Sequence, residues 1–338
     1  MKALKIHGAE NMTVEEILVP EPGEGEVRVR MQYVGICGSD LHYYFQGKNG
    51  EYEVREPFTP GHEMSGVVDV DPSGKLAPGT PVTIAPATFG EPQPGLEDRP
   101  YLWPGGTYLG SASTNPHTQG GMAEYRLVKD FMIRVLPEGL STQTASLAEP
   151  MAVALHALRL AGGVQGKKVL VSGSGPIGLC VAASAVAKGA AEVTASDVLP
   201  GPLERAKAVG AEHTINVTTE PVPVMAYDLV FECSGVPVAV SPALAAVRRA
   251  GTVVQVGMLP NENVGVNLAP FVSKEVTYLG SFRFDDEIDE AIELLADYPR
   301  LASVITHVVP ADQVVEAFEI ARDSQASGKV VVSLWLDD

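Results

Sequence analysis

With 338 residues the chain is long enough for about two domains, and 45% hydrophobic against 20% charged residues excludes a disordered or fibrous chain. Twenty-four Lys and Arg against 42 Asp and Glu leave a net charge of −18. With no basic run to offset that charge, nucleic acid and anionic lipid surfaces are excluded as partners, and an anionic substrate must be met by specific cations.

Three scattered cysteines, Cys37, Cys180 and Cys233, make no disulfide framework and suit a reducing compartment. Residues 1–8 lack the apolar run of a signal peptide. The longest uncharged apolar stretch, between Lys168 and Lys188, is broken near its start by Gly173, Gly175, Pro176 and Gly178. A cytoplasmic protein without a membrane span is expected.

The first 140 residues are rich in Gly and Pro. Short β-type runs at Glu26–Val34, Met64–Val70, Pro81–Ala85 and Met122–Val128 are parted by turn clusters, which predicts an irregular, mostly antiparallel β domain. Within it, Pro86–Pro116 holds six prolines and little periodicity; a loop of that length is functional or the remnant of something functional. From about residue 150, Ala-rich helical stretches alternate with β-branched runs. Six strands are predicted: Lys168–Ser172, Glu192–Ser196, His213–Asn216, Asp228–Glu232, Thr252–Val256 and Val276–Gly280. Helices at Ile177–Lys188, Leu203–Val209 and Pro237–Arg249 fall between them, the last two stopped by Gly210 and Gly251.

This is the pattern of an α/β, doubly wound parallel sheet. A helix (Asp285–Asp297), a strand (Val304–Val309), a second helix (Ala311–Arg322) and a last strand (Lys329–Leu334) follow. Being extra to the six-strand unit, they are expected to complete the first domain. The expected division is 1–150 with 285–338 for the β-rich domain, and 151–284 for the parallel sheet.

Gly173-Ser174-Gly175-Pro176-Ile177-Gly178 joins the first predicted strand of that sheet to a helix. Gly173 allows a tight turn, Gly175 lets a pyrophosphate approach, and Gly178 lets helix pack on strand, while the helix N-terminus offers free N–H groups to phosphate. Asp197, at the end of the next strand, is placed to accept hydrogen bonds from ribose hydroxyls and to repel a 2′-phosphate. NAD is therefore expected over NADP. Arg205, well into the following helix, is read as a solvated side chain.

The richest cluster of chemical groups is Gly35-Ile36-Cys37-Gly38-Ser39-Asp40-Leu41-His42-Tyr43-Tyr44, followed by Gly61-His62-Glu63. A thiolate, an imidazole and a carboxylate in Gly-flanked loops suit zinc, which accepts S, N and O ligands. Neighbouring residues of a regular element point opposite ways, so His62 and Glu63 reach one ion only from a turn. Glu149, in Leu147-Ala148-Glu149-Pro150, is a further candidate ligand. Cys180 and Cys233 are expected in the core, His156 in packing, and His117 either as a polar substrate contact or in a structural loop role.

Together with Ala148–Ala157 and Gly280-Ser281-Phe282-Arg283-Phe284, these motifs resemble the zinc-dependent medium-chain dehydrogenases, in particular their polyol branch and the L-idonate 5-dehydrogenase group within it. The resemblance runs over nearly the whole chain. It implies a GroES-like catalytic domain split in sequence, a central Rossmann domain, and an active site in the cleft between them. By position, Cys37, His62 and either Glu63 or Glu149 resemble the catalytic zinc ligands, with Glu149 able to exchange with Glu63 or to hold the bound water. Asp40 resembles the carboxylate that orients His62, and Ser39 and His42 resemble a proton relay.

Pro176, Ile177, Gly257, Met258, Ser281 and Phe282 fall with the glycines and Asp197 in cofactor-binding segments, while Tyr43 and Arg283 fall with His117 at the substrate. Relatives commonly carry four cysteines where Pro86–Pro116 has none, which excludes a structural zinc by ligand count and leaves one catalytic zinc. The implied reaction is NAD-dependent oxidation of a secondary alcohol of a sugar acid or polyol to the ketone. Sorbitol, xylitol or L-threonine is the alternative substrate, and an inactive nucleotide-sensing protein the alternative of another class. In that family the edge strand of the cofactor sheet pairs across a twofold, implying a homodimer or homotetramer.

Overall fold

A computed structural model describes residues 1–336; residues 337 and 338, the end of the segment expected in the first domain, lie outside it. The chain forms two compact units. The first holds Met1–Glu149, His307–Arg322 and the chain from Lys329 onward; the second holds Pro150–Thr306 and Asp323–Gly328.

The first unit opens with the hairpin β1 (Lys2–Gly8) and β2 (Asn11–Glu16), then β3 (Glu26–Gly35), α1 (Gly38–Gln46) and the small hairpin β4 (Lys48–Asn49) and β5 (Tyr52–Glu53). Next come β6 (Glu63–Val70), β7 (Pro81–Ile84), β8 (Ala87–Thr88), β9 (Thr107–Tyr108), β10 (Tyr125–Lys129), β11 (Ile133–Val135) and α2 (Thr142–Ala145). α3 (Ala148–Leu160) carries the chain into the second unit. There β12 (Lys168–Ser172), α4 (Pro176–Ala187), β13 (Glu192–Asp197), α5 (Pro200–Val209), β14 (His213–Asn216), β15 (Tyr227–Glu232) and α6 (Pro237–Ala246) alternate. They are followed by β16 (Val247–Gln255), α7 (Ala269–Ser273), β17 (Thr277–Gly280) and α8 (Glu287–Asp297), and the chain ends with β18 (Ile305–Pro310), α9 (Val314–Arg322) and β19 (Lys329–Ser333).

β3 is the spine of the first unit. Its alternation buries Val27, Val29 and Met31 and turns Arg28 and Arg30 outward. It pairs antiparallel with β6, β10 and β19, and the sheet runs β11-β7-β6-β3-β19-β18. Phe58, Met64, Met122, Phe318 and Val332 fill the core around it. The Cys37–Tyr44 stretch, expected in loops, instead turns into α1: Asp40, three residues past Cys37, accepts the Cys37 N–H, and Gly47 in the left-handed region (φ 69°) ends the helix.

The second unit carries an all-parallel sheet in the order β14-β13-β12-β15-β16-β17. Numbered by appearance this is 3-2-1-4-5-6, the doubly wound order. Its ligand crevice lies where the order reverses, outside the carboxyl ends of β12 and β15. The helix expected through Arg249 stops at Ala246, because the buried ammonium of Lys274 takes the carbonyls of Leu244, Ala245 and Val247 and the chain then bulges as it joins β16. Residues 311–313 form a 3-10 turn before α9 rather than its first turn.

The chain re-enters the first unit at His307, not at residue 285. α8 stays with α3 because His156 Nδ1 meets Glu287 Oε1 at 2.7 Å and Arg159 reaches the same oxygen at 2.5 Å, all in the second unit. His156 is thus hydrogen-bonded to the buried Glu287 carboxylate, which Arg159 also pairs with, rather than simply packed. Removing one partner of such a pair leaves an uncompensated charge. Glu287→Ala is expected to destabilise the second unit by about 3 kcal/mol in urea unfolding, with Glu287→Gln losing less; an unchanged midpoint for Glu287→Ala refutes this role.

Candidate active site

At the exit of β3 the chain passes Gly35, where a Cβ would collide with the Glu63 carboxylate, and reaches Cys37, which precedes α1. On the neighbouring strand, Gly61 (φ 94°) makes the turn that presents His62 just outside β6, and Glu63 is the first residue of β6. The pairing of Gly35 with Glu63 across β3 and β6 brings the two segments together. One donor atom each from Cys37, His62 and Glu63 then lies within 4.8 Å of the others. Because His62 is in the turn and Glu63 in the strand, adjacent residues converge despite the alternation rule.

Lys329, at the start of β19 and 2% exposed, donates to Glu63 Oε1 at 2.6 Å and to the Ile36 carbonyl. Glu63 Oε2 is buried and has no hydrogen-bond partner among the described residues. A buried carboxylate oxygen without a donor, beside a sulfur and an imidazole, fits a zinc ion.

Asp40 is fully buried. It accepts from the backbone N–H of Cys37 at 2.9 Å and of Gly61 at 3.0 Å. It therefore positions the two ligand segments through their backbones, not by a bond to the His62 ring as expected. Glu149, in the first turn of α3, is also buried and accepts from Tyr108 Oη at 2.5 Å. Burial pushes the Asp40 and Glu149 carboxyls up, against the pull of His62, with Glu63 adding to the rise in both. Burial works against charge on His62, but Cys37, Asp40 and Glu149 together outweigh it and push its pKa up to about 10.

Ser39 is half-buried in the first turn of α1, and His42 is exposed three residues later on the same side of the helix. Tyr43 lies in the core of the first unit. It is 2% exposed, its ring meets Phe58 edge-on, and its hydroxyl accepts from Ala112 N–H. His117 is likewise committed to its loop, with Nε2 facing Arg55 N–H at 2.9 Å and Nδ1 facing the Thr114 carbonyl at 2.9 Å. His117 thus takes the structural loop role.

In the second unit, Gly173 (φ 88°) turns the chain out of β12; a Cβ there would strike Ser234, and one on Gly178 would strike the Gly173 carbonyl. Gly175 opens onto free space at the N-terminus of α4, with Pro176 and Ile177 in its first turn. Asp197 ends β13 and accepts from Ser174 N–H at 2.8 Å and Leu199 N–H at 3.0 Å. A cavity of about 450 Å³ opens beside it, lined by Gly173, Asp197, Val217, Ser234, Val236 and Val238.

Gly257 packs on the Gly235 backbone, while Met258 and Phe282 are exposed. Ser281 Oγ is buried with no hydrogen-bond partner among the described residues. Arg283 (φ 54°) lays its guanidinium over the Phe282 ring at 4.9 Å. Arg205 is not freely solvated: it donates to the carbonyls of Ser324 and Gln325. Cys180 is buried in α4, and Cys233 is half-buried just past the end of β15, where desolvation pushes its thiol up.

Three residues escaped sequence reasoning. Lys329 left a trace, a lone charge opening an apolar strand. Glu232 ends β15 fully buried, where it accepts from the Ser234 and Gly235 N–H groups and from Gln255. Tyr108 left no trace, lying in a segment without periodicity.

The chain matches the zinc-binding dehydrogenase family over residues 176–297 and the alcohol dehydrogenase GroES-like domain over residues 23–138. It is 34% identical over 333 residues to a sorbitol dehydrogenase of Gallus gallus, covering 95% of this chain and 93% of that protein. It is 33% identical over 337 residues to an L-idonate 5-dehydrogenase (NAD(P)(+)) of Escherichia coli K12, covering 96% of each. The crystal structure of L-idonate 5-dehydrogenase from Escherichia coli K-12 superposes with a TM-score of 0.91 at 31% identity, over 98% of this chain and 97% of that one. Among the described residues no helix is long and apolar enough to cross a membrane.

The site has a pH signature. Without metal, folded His62 keeps its proton up to about pH 10, against about 6.5 in the unfolded chain. Its contribution to stability is then full below about pH 6.5 and is lost as pH rises toward 10. The raised Asp40 and Glu149 carboxyls act in the same direction at lower pH. Chelator-treated protein should therefore lose Tm between pH 7 and 9, a slope that His62→Gln removes. Loading the metal at pH 7 should release protons, measurable in weak buffer. A flat Tm profile with no proton release contradicts the site's electrostatics.

Proposed function

Because the chain belongs to the family of zinc-dependent medium-chain alcohol and polyol dehydrogenases, we propose that it oxidises the C5 hydroxyl of L-idonate to the ketone, with NAD as acceptor and one zinc ion per chain. The observation that carries this reading is the meeting of Cys37, His62 and Glu63 with one Glu63 oxygen lacking a donor. When bound, zinc supplies Lewis-acid polarisation of the substrate hydroxyl and the nicotinamide supplies the hydride acceptor.

The chain's own residues do the rest. Cys37, His62 and Glu63 hold the metal, with Glu149 in reserve. Ser39 Oγ accepts the hydroxyl proton while giving up its own, and His42, exposed on the same face of α1, passes a proton to water. Lys329 and Asp40 keep the ligands in place.

In the second unit the N–H groups at the start of α4 take the pyrophosphate, and Asp197 takes the ribose hydroxyls at the mouth of the 450 Å³ cavity. Gly257, Met258, Ser281 and Phe282 line the cofactor, with Ser281 Oγ free to bond it. Arg283 is the cation assigned to the aldonate carboxylate, which the −18 chain otherwise repels. The exposed edge at β17 is the surface assigned to a second copy. Oxidation of sorbitol is the second reading, favoured by the identity to the Gallus gallus sorbitol dehydrogenase.

NAD-linked oxidation of L-idonate, D-gluconate, sorbitol, xylitol and L-threonine, with zinc measured on the same samples, tests this. The highest kcat/KM is expected for L-idonate, with about one zinc per chain and activity lost on chelation. A preference for sorbitol or xylitol transfers the reading to the alternative, and a chain without zinc or turnover ends both. Arg283→Ala should raise KM for L-idonate far more than for sorbitol. Asp197→Ser, which removes the repulsion of a 2′-phosphate and the bonds to ribose, should move the NAD/NADP ratio of kcat/KM by on the order of tenfold toward NADP. An unmoved ratio removes Asp197 from cofactor selection.

A further inference from the structure

The two carboxylates near His62 are held in different ways. Glu63 is fixed through Oε1 by Lys329 and leaves Oε2 unbonded among the donor atoms. Glu149 is not among the donors that meet within 4.8 Å; its Oε1 is taken by Tyr108 Oη.

Tyr108 is delivered there by the cysteine-free segment 86–116. β8 and β9 pair at the base of that segment, Thr88 and Thr107 bond through their hydroxyls at 2.6 Å, and Leu109 N–H donates to the Pro86 carbonyl at 2.9 Å. The Tyr108 ring lies edge-on to His62, 5.5 Å between centroids. A phenylalanine would fill that volume equally well, so packing does not call for the hydroxyl. A buried phenol needs an acceptor and a buried carboxylate needs a donor, and here each supplies the other.

We propose that Tyr108 is a positioning residue that tethers Glu149 away from the metal, so that Glu63 is the carboxylate of the resting donor set and Glu149 joins only when the phenol bond is broken. The segment that carries no cysteines then sets the coordination of the catalytic centre from outside. The proposal rests on the reading above for the presence of the ion. Its test needs no turnover.

The test uses Tyr108→Phe, Glu149→Gln, the double variant and Glu63→Gln, with zinc replaced by Co(II) for visible spectra and zinc release timed with a chromophoric chelator. Freed from the phenol, Glu149 becomes an added ligand. Tyr108→Phe should move the cobalt bands and slow zinc release by on the order of tenfold, the scale of a hydrogen bond to a charged group. In the Glu149→Gln background the same change should do nothing. Glu149→Gln alone should keep the wild-type bands and Glu63→Gln should shift them, which tests the proposal even if Tyr108→Phe folds poorly.

Identical bands and release rates in Tyr108→Phe overturn the proposal. So does a shift that survives in the Glu149→Gln background, or bands that answer to Glu149 and not to Glu63. A chain that takes up no metal refutes the functional reading instead, so the two failures are distinguishable.

Discussion

Buried negative charge governs the first unit. Asp40, Glu63 and Glu149 surround His62 below the surface, where water is largely excluded, and the half-buried Cys37 completes the cluster. Ionised groups out of water are stable only when paired and hydrogen-bonded. Lys329 compensates Glu63, backbone N–H groups compensate Asp40, and Tyr108 serves Glu149. What remains uncompensated centres on the Cys37 sulfur and Glu63 Oε2, and a protonated His62 is the charge the metal-free cluster raises against it. A divalent cation does the same work better, because it binds thiolate, imidazole and carboxylate at once. The rest of the unit follows from this need: glycine at 35 to admit the Glu63 carboxylate, a left-handed glycine at 61 to turn out His62, and a strand pairing that brings the two segments into contact.

Much of this was legible in the sequence, for physical reasons. The parallel sheet announced itself because each strand is a short apolar run and glycines stop the helices; α5 ends at Gly210 with φ 115° as expected. Cys37, His62 and Glu63 were legible as a group because zinc chemistry restricts the residue types, and the fold brings one donor atom of each within 4.8 Å of the others. What failed to show were the parts whose cause lies far away in the chain. Lys329 reaches Glu63 across 266 residues, Tyr108 reaches Glu149 across 41, and Glu287 reaches His156 across 131. No local period encodes such pairs. The division at residue 285 failed for the same reason, since an acidic helix reads as surface until its buried partner is known.

The misplaced substrate residues teach a narrower lesson. Both ring nitrogens of His117 are engaged by the backbone, at Arg55 N–H and the Thr114 carbonyl, while the Tyr43 hydroxyl accepts from Ala112 N–H. A side chain beside a reactive centre is available to a ligand only if the fold does not need it first. Ser281 differs from both in that its buried hydroxyl has no hydrogen-bond partner among the described residues.

The net charge of −18 and the proposed ligands, an aldonate and a dinucleotide, stand in tension. Long-range repulsion between them is screened beyond about 8 Å at physiological salt, so it slows approach more than it weakens a bound state. Binding is decided at contact distance. There the chain offers directed groups: the N–H groups at the start of α4, the Arg283 guanidinium, and the Cys37, His62 and Glu63 donors that fit a zinc ion. An acidic surface punctuated by a few well-placed cations rejects anions in general and admits those whose charges fall where the cations are. On the proposed reading, the surface charge leaves an anionic substrate to be met by these directed groups alone.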